Sequence, residues 1–302
     1  MIITHFSQEY LKPVAKLCRQ NMDRDIMPDF LLNEKTFGDP DYDPELTLVG
    51  KIENRELPIA FIQGVVRKRA DGKVGYIKLL CVDSNERRKG HARMLYENVE
   101  QKMKKQNVKQ IRVYESYPNY FMPGIDPFYT EAVCFFERLG YKKIGDTSNL
   151  VADLSLQSFD TESEEKKLLE EKIVFRRAEI SDKENIMKWL EVKFSAWIGE
   201  VSSAYQNNPF TVFICEIDGQ LKAFSAHEGN NKGTGWFGPM GTDTGLRGKG
   251  IGSILLKKCL TDMKEMGFVK AIIPWVSSIP FYMHNVESKV ERVFWRYEKI
   301  ME

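Results

Sequence analysis

One pattern occurs twice in this chain, and the repeat constrains the fold more than any single element does. A strand-forming run, Tyr76-Ile77-Lys78-Leu79-Leu80-Cys81-Val82, leads into Arg87-Arg88-Lys89-Gly90-His91-Ala92 and then a helical pattern to about Gln106. Further on, Gly235-Trp236-Phe237-Gly238-Pro239-Met240 leads into Arg247-Gly248-Lys249-Gly250-Ile251-Gly252 and a helical pattern to about Met266. Arg87 and Arg247 stand 160 residues apart in a chain of 302. Domains of roughly 100–200 residues would fit twice into that length. The repeat therefore reads as a duplicated domain.

Residues 157–171 include Glu162-Ser163-Glu164-Glu165-Lys166-Lys167 and Glu170-Glu171, a charged stretch suited to a solvated linker or an exposed helix. We place an N-terminal domain over 1–156, this connection over 157–171, and a C-terminal domain over 172–302. Each half begins with a strand and a helix; the second helix follows Ser181-Asp182-Lys183-Glu184, which has the form of a capping box. Middle strands are expected over 47–52, 58–67 and 74–82, and again over 210–217, 221–227 and 234–240. Asp218-Gly219 is a hairpin signal between two of them. The class is mixed α/β, each domain a largely antiparallel twisted sheet flanked by helices.

Composition narrows the function. With 44 Lys+Arg against 43 Asp+Glu the formal charge is +1, which argues against a nucleic-acid binder or a polybasic membrane binder. No apolar run approaches the ~20 residues of a membrane span. The N-terminus lacks the charged and apolar regions of a signal peptide, so the cytoplasm is the expected compartment. Five cysteines and four histidines are scattered without metal-ligand spacing, so no metal is expected and the cysteines read as small buried hydrophobes.

The glycine loops have a physical use. Glycine lets the backbone approach a ligand closely, and the first-turn N–H groups of the helix that follows lack intrahelical partners. Together with the helix dipole and nearby cations they suit a pyrophosphate. A Walker A loop would need Ser or Thr after Gly248-Lys249, where Gly250 stands, and a glycine where Asp243 stands. A dinucleotide GxGxxG would need a third glycine at Ser253 or Leu255.

The Arg-x-x-Gly-x-Gly/Ala loop between a strand and an amphipathic helix resembles motif A of the GNAT superfamily of acetyl-CoA-dependent N-acetyltransferases, twice over. The resemblance implies acetyl-CoA as cosubstrate. In the second copy it would be held by Thr242 at the strand end and by Arg247, Gly248, Lys249, Gly250, Ile251, Gly252 and Ser253. In the first copy the matching residues are Val82, Arg87, Arg88, Lys89, Gly90, His91, Ala92 and Arg93.

The superfamily often uses a tyrosine in the following helix to protonate the departing thiolate. The second copy has Phe281-Tyr282 there, while the first has Phe135-Phe136, and a phenyl ring has no proton to donate. The second copy is therefore read as catalytic and the first as degenerate. Glu287 and Tyr297 are further candidates for proton handling, and Tyr282 and Tyr297 both remain open as the acid. The first copy also carries extra residues, Tyr117 to Asp126, which could wall a substrate or simply pack as a loop.

Gly238-Pro239-Met240-Gly241, Ile273-Pro274-Trp275-Val276 and Arg292-Val293-Phe294-Trp295-Arg296-Tyr297 resemble clostridial-type glucosamine and glucosaminide N-acetyltransferases. That resemblance implies a small-molecule amine, an amino sugar from cell-wall turnover, as partner. All five tryptophans fall in the second half, and aromatic faces suit the apolar face of a sugar ring. Two alternatives stay open: another amine (an antibiotic, a peptide or a protein N-terminus), or a non-catalytic CoA-binding sensor or scaffold. Either a monomer or a homodimer is compatible with the sequence.

Overall fold

Strand and helix patterns alternate along the chain much as the repeat requires, and a computed structural model describes residues 1–53, 55 and 57–301. Two compact units result. One contains Met1–Asp146 and the chain from Phe294 on; the other contains Thr147–Val293. In chain order the first unit holds β1 (Ile2–His5), α1 (Leu11–Asn21), α2 (Asp29–Lys35), β2 (Thr47–Lys51), β3 (Ala60–Arg69), β4 (Gly72–Val82), α3 (His91–Lys105), β5 (Gln110–Val113), α4 (Thr130–Arg138) and the start of β6 (Lys142–Asp153). The second holds the rest of β6, α5 (Glu162–Leu169), β7 (Ile173–Arg177), α6 (Lys183–Lys193), α7 (Ile198–Ala204), β8 (Val212–Ile217), β9 (Gln220–His227), β10 (Phe237–Thr242), α8 (Ile251–Glu265), β11 (Lys270–Ile273), α9 (Ile279–Val286) and the start of β12 (Lys289–Ile300).

In the first unit β1 to β4 pair antiparallel in sequence order, and β5 joins β4 in parallel through Val74↔Gln110 to Ile77↔Val113. In the second, β7 to β10 repeat the antiparallel run. The turn at Asp218-Gly219 has φ of +49° and +72°, the left-handed pair that a two-residue hairpin demands. The two core helices differ from the rest by their apolar stripes. Helix α3 buries Leu95, Val99 and Met103 at fourfold spacing, and α8 buries Ile251, Leu255, Cys259 and Met263. Each such side chain contributes about 1.5–3 kcal/mol by leaving water, so Leu255→Ala would be felt through the whole second core.

The units do not divide where the charge pattern placed the boundary. Residues 157–171 lie inside the second unit and contain α5, an exposed helix. The larger difference is at the chain's end. Residues 298–300 of β12 pair with β5 of the first unit, and residues 150–153 of β6 pair with β11 of the second. Each unit thus takes in a strand segment that the charge pattern assigned to the other domain. The helix cap ahead of α6 also shifts: Glu179 and Asp182 form the reciprocal box, with Glu179 N–H donating to Asp182 Oδ2 at 2.7 Å, rather than Ser181 and Glu184. Four cysteines are buried as expected, and Cys134 is exposed. Among the described residues no helix is long and apolar enough to cross a membrane, and no cluster of His, Cys, Asp or Glu is placed to hold a metal ion.

Candidate functional site

In the second unit, β10 is the edge of its sheet, and Trp236 just before it makes a parallel bridge to Ile272 of β11, whose N–H donates to the Gly235 carbonyl at 2.7 Å. Beyond that bridge β10 has no ladder partner on this side among the described residues, so its edge N–H and C=O groups are open to an extended ligand. A register shift against β9 between Phe237 and Met240 makes a bulge at Gly238-Pro239. Proline, which has no N–H, is tolerated at such a bulge.

After Thr242 the chain makes a short turn over Thr244–Leu246 and an extended step at Arg247 (φ −64°, ψ 147°). Gly248 and Gly250 then take φ of +87° and +81°, where a side chain would be strained. Gly250 caps α8 with no side-chain hydrogen bond, and the first intrahelical bond is Ile254 N–H to the Gly250 carbonyl at 3.1 Å. The N–H groups of Ile251, Gly252 and Ser253 are left to point outward at the positive end of the helix.

The first copy repeats this path almost angle for angle. Arg87 lies at φ −64°, ψ 157°, and Gly90 at φ +86°, ψ −2° against Gly250's +81° and −5°. Arg88 takes φ +63° where the second copy has Gly248, a strain on the order of 1 kcal/mol for a residue with a Cβ.

The side chains diverge where the backbones agree. In the first copy Glu86 is paired with Lys89 at 2.9 Å and Arg55 at 3.3 Å, and His91 lies 3.6 Å away. Lys89 holds the Glu86 carboxyl below its usual range. Arg87 donates to the carbonyls of Asn21 (3.0 Å) and Val82 (3.3 Å) and sits 3.6 Å from Glu131. Arg93 pairs with Glu97 at 3.8 Å, and Ala92 adds no polar group. The first loop is thus largely neutralised from within. In the second copy Leu246 replaces the acid, Lys249 pairs with the exposed Glu171 at 2.8 Å, and Arg247 is exposed without a side-chain hydrogen bond or ion pair among the described residues.

Helix α9 brings its aromatic residues to the same place. A Cβ on Gly252 would lie 3.5 Å from the Phe281 ring and 3.5 Å from Met240 Cε, so α8, α9 and β10 meet there. Tyr282 packs edge-on against Phe237 and Phe281 at 6.3 Å and 5.0 Å between centroids. Burial pushes its phenol up to about 12, and its hydroxyl has no hydrogen-bond partner among the described residues. Glu287, exposed, ends α9 in the left-handed region at φ +47°.

The structure places Tyr282 and Glu287 in the second unit and Tyr297 in the first. Because the end of β12 pairs with β5, Tyr297 is buried in the first core and donates its hydroxyl to Glu137 Oε1 at 2.7 Å, on α4. Burial and that carboxylate push its pKa up. Phe136 is fully buried in the same core, edge-on to Phe135 and Tyr141.

Sequence reasoning missed a buried charged group in the first unit. The bulge of β4 against β3 falls at Lys78, which is fully buried and donates to the Lys35 carbonyl (2.6 Å), to Asn119 Oδ1 (3.1 Å) and to Asp39. Asp39 also receives both terminal nitrogens of Arg67, at 2.5 Å and 2.7 Å. The signal available in the sequence was the 160-residue offset, which sets Lys78 against Gly238.

Comparison with known proteins fits this geometry. The model of the Acetyltransferase (GNAT) family matches twice, over residues 17–122 and 176–284, together well over half the chain. No curated protein sequence matches. Among solved structures, a GCN5-related glucosamine N-acetyltransferase region of a fungal multi-domain GH3 β-N-acetylglucosaminidase superposes with a TM-score of 0.83 at 18% identity, covering 99% of this chain. The chain spans 38% of that protein's length. A GCN5-related N-acetyltransferase from Sphaerobacter thermophilus gives 0.72 at 15% identity, over 99% of this chain and 95% of that one. A tandem GNAT protein from the clavulanic acid biosynthesis pathway gives 0.69 at 14% identity, over 99% and 98%.

Proposed function

The chain belongs to the GNAT acetyltransferase family, and from that premise we propose that its second copy transfers the acetyl group of acetyl-CoA to the primary amine of a small amino sugar of the glucosamine class. The observation that carries the division of labour is the contrast between two loops of one backbone shape. Arg247 and the first-turn N–H groups of α8 are open to a pyrophosphate, whereas Arg87 and Glu86 are engaged within the protein. The residues of the second loop fit acetyl-CoA: two glycines in the left-handed region, a cap without a side chain, and an unengaged cation.

When bound, acetyl-CoA supplies an activated acetyl group and a thiol leaving group. The open edge of β10 up to Thr242 offers N–H donors to a polarised carbonyl. Tyr282 holds its proton firmly at neutral pH, has an unengaged hydroxyl and lies against the start of β10, which suits it to protonate a thiolate. The Tyr297 hydroxyl is already engaged in a hydrogen bond to Glu137, and we assign the acid to Tyr282 on that difference. Glu287, an exposed carboxylate at the end of the same helix, is assigned to take the proton of the acceptor ammonium, directly or through water. The amino-sugar part of the reading rests on the C-terminal motifs; the fungal region described above speaks for the fold.

The test is a thiol-release assay with acetyl-CoA and a panel of primary amines that includes glucosamine. Turnover of glucosamine above the acyclic amines is expected. Absence of turnover with every amine, alongside normal acetyl-CoA binding, would leave the CoA-sensor reading in its place.

A further inference from the structure

The charged stretch over residues 157–171 belongs to the second unit, and a series of lysines fixes its course there. Lys264 of α8 donates to the Gln157 carbonyl at 3.0 Å. Lys258 pairs with Glu165 and Lys257 with Glu164, and Lys249 of the glycine loop pairs with Glu171, each at 2.8 Å. The stretch is thus a strap that runs antiparallel to α8, from its C-terminal end to the loop before its first turn. Its last turn is anchored. Leu168 packs against the second core, and the N–H groups of Glu171 and Lys172 donate to the carbonyls of Leu168 and Leu169 at 3.0 Å and 2.9 Å. The ion pairs differ in exposure. Lys257 and Lys258 are 18% and 24% exposed and hold α5 to α8, whereas Lys249 and Glu171 are 46% and 55% exposed. Only this last pair stands in water where a ligand can take the place of one partner.

The other copy neutralises the same lysine by a different route. Lys89 stands 160 residues before Lys249 and pairs at 2.9 Å with Glu86 of its own loop, where the second copy has Leu246. In the second copy the carboxylate comes from 78 residues earlier in the chain, outside the loop altogether.

We propose that Glu171 sets the cosubstrate affinity of the second copy by competing with the phosphates of acetyl-CoA for Lys249. This rests on the reading of that loop as the acetyl-CoA site. Lys249 directly precedes Gly250, and the N–H groups that follow this cap face outward at the positive end of α8. A phosphate that approaches them meets an ammonium already paired and a carboxylate that repels it. Binding breaks the pair, and release of CoA lets it form again. The strap therefore weakens the hold on acetyl-CoA and on the product CoA alike, and because both side chains are in water the effect fades with salt.

Calorimetry of acetyl-CoA and of CoA on Glu171→Gln tests the proposal. Glu170→Gln is the control, since it removes the same charge from the neighbouring exposed residue, which makes no ion pair among the described residues. At about 50 mM salt Glu171→Gln should tighten both ligands about two- to fivefold and Glu170→Gln less than about 1.5-fold, and the difference should vanish at about 0.5 M salt. Lys249→Met should weaken both ligands, and in its background the gain from Glu171→Gln should shrink to that of Glu170→Gln. Unchanged or weaker binding in Glu171→Gln overturns the proposal. So does an equal gain in Glu170→Gln, or a full gain that survives in the Lys249→Met background. These results would leave the loop as the acetyl-CoA site, whereas a wild-type protein that binds neither ligand overturns that reading and this inference with it.

Discussion

Asp39→Asn is expected to be among the most costly conservative substitutions in the first unit, and the structure indicates how much it should cost. The carboxylate is fully buried and serves two fully buried cations at once, Arg67 through both terminal nitrogens and Lys78. Burial alone would push its pKa up, yet Lys78 and Arg67 outweigh burial and hold it below the usual range. The amide keeps the shape and removes the charge. Arg67 then has Asp41, half-exposed, at 2.7 Å and the Ser116 carbonyl at 3.0 Å, while Lys78 has only neutral acceptors. Removing one partner of a buried pair costs about 3–5 kcal/mol, and here the loss should fall in that range at pH 6. Lys78→Met is different in kind. Asp39 keeps its two-pronged contact with Arg67 and the protein is spared a buried ammonium, so a change below about 1 kcal/mol of either sign is expected. The double variant should recover part of the Asp39→Asn loss. Urea unfolding of the three variants measures this. A loss under about 1 kcal/mol in Asp39→Asn, or equal losses in the two single variants, would refute the reasoning. There is also a pH signature. Desolvation pulls Lys78 down to about 7 against Asp39's opposition. Between pH 7 and 10.5 the unfolded chain then binds more protons than the folded one, so stability contributed at this site rises with pH in that window, and Lys78→Met should lose the rise.

Gly250→Asp or Gly252→Asp sets a carboxylate against the open N–H groups of α8 and should abolish acetyl-CoA binding by calorimetry in a folded protein, while Gly90→Asp leaves turnover close to wild type. Tyr282→Phe and Glu287→Gln should each lower kcat by about 10²–10⁴ with little change in acetyl-CoA affinity. Tyr297→Phe should instead read out as lost stability, from a hydrogen bond to Glu137 in the first core; a kcat collapse in Tyr297→Phe alone would move the acid there. In the second unit His227 and Arg177 hold the Asp262 carboxyl down to about 2 despite its burial. The unfolded value lies higher, so its contribution is complete above about pH 5 and lost as pH falls toward 2, about 2 kcal/mol in all. Asp262→Asn should flatten the acid limb of a stability–pH curve.

The repeat, the loops and the core helices were legible because each rests on local physics. Glycine where φ must be positive, an apolar residue at each turn of α3 and α8, and a two-residue turn at Asp218-Gly219 follow from neighbouring residues alone. The ends of the two sheets rest on nothing local. Val290 to Tyr297 reads as a good strand in any fold, and so does the stretch around Asn149 to Asp153, but neither contains a clue to which edge it will join. Periodicity fixes the faces of a strand and leaves its partner open. The partners here are β5 for the end of β12 and β11 for the end of β6, and the first of these pairings carries Tyr297 into the first unit, away from the domain the charge pattern gave it.

The same limit applies to the buried charges. A lysine in an apolar strand run, Ile77-Lys78-Leu79, reads as a solvent-facing residue on an alternating strand. The bulge at Lys78 breaks that alternation and turns the side chain inward, where Asp39, thirty-nine residues earlier, supplies the counterion and Lys35 and Asn119 the neutral acceptors. The comparison that exposes the arrangement is internal to the chain. Where one copy has spent a lysine, a cysteine and an acid to fill one face of its central strand, the other has two glycines and a pair of stacked rings. At Gly241 those rings take the space a side chain would fill, while at Gly238 a Cβ would meet nothing within 4 Å, so one glycine admits packing and the other borders open space. Both fall on the copy whose loop cation is unengaged and whose helix carries the tyrosine.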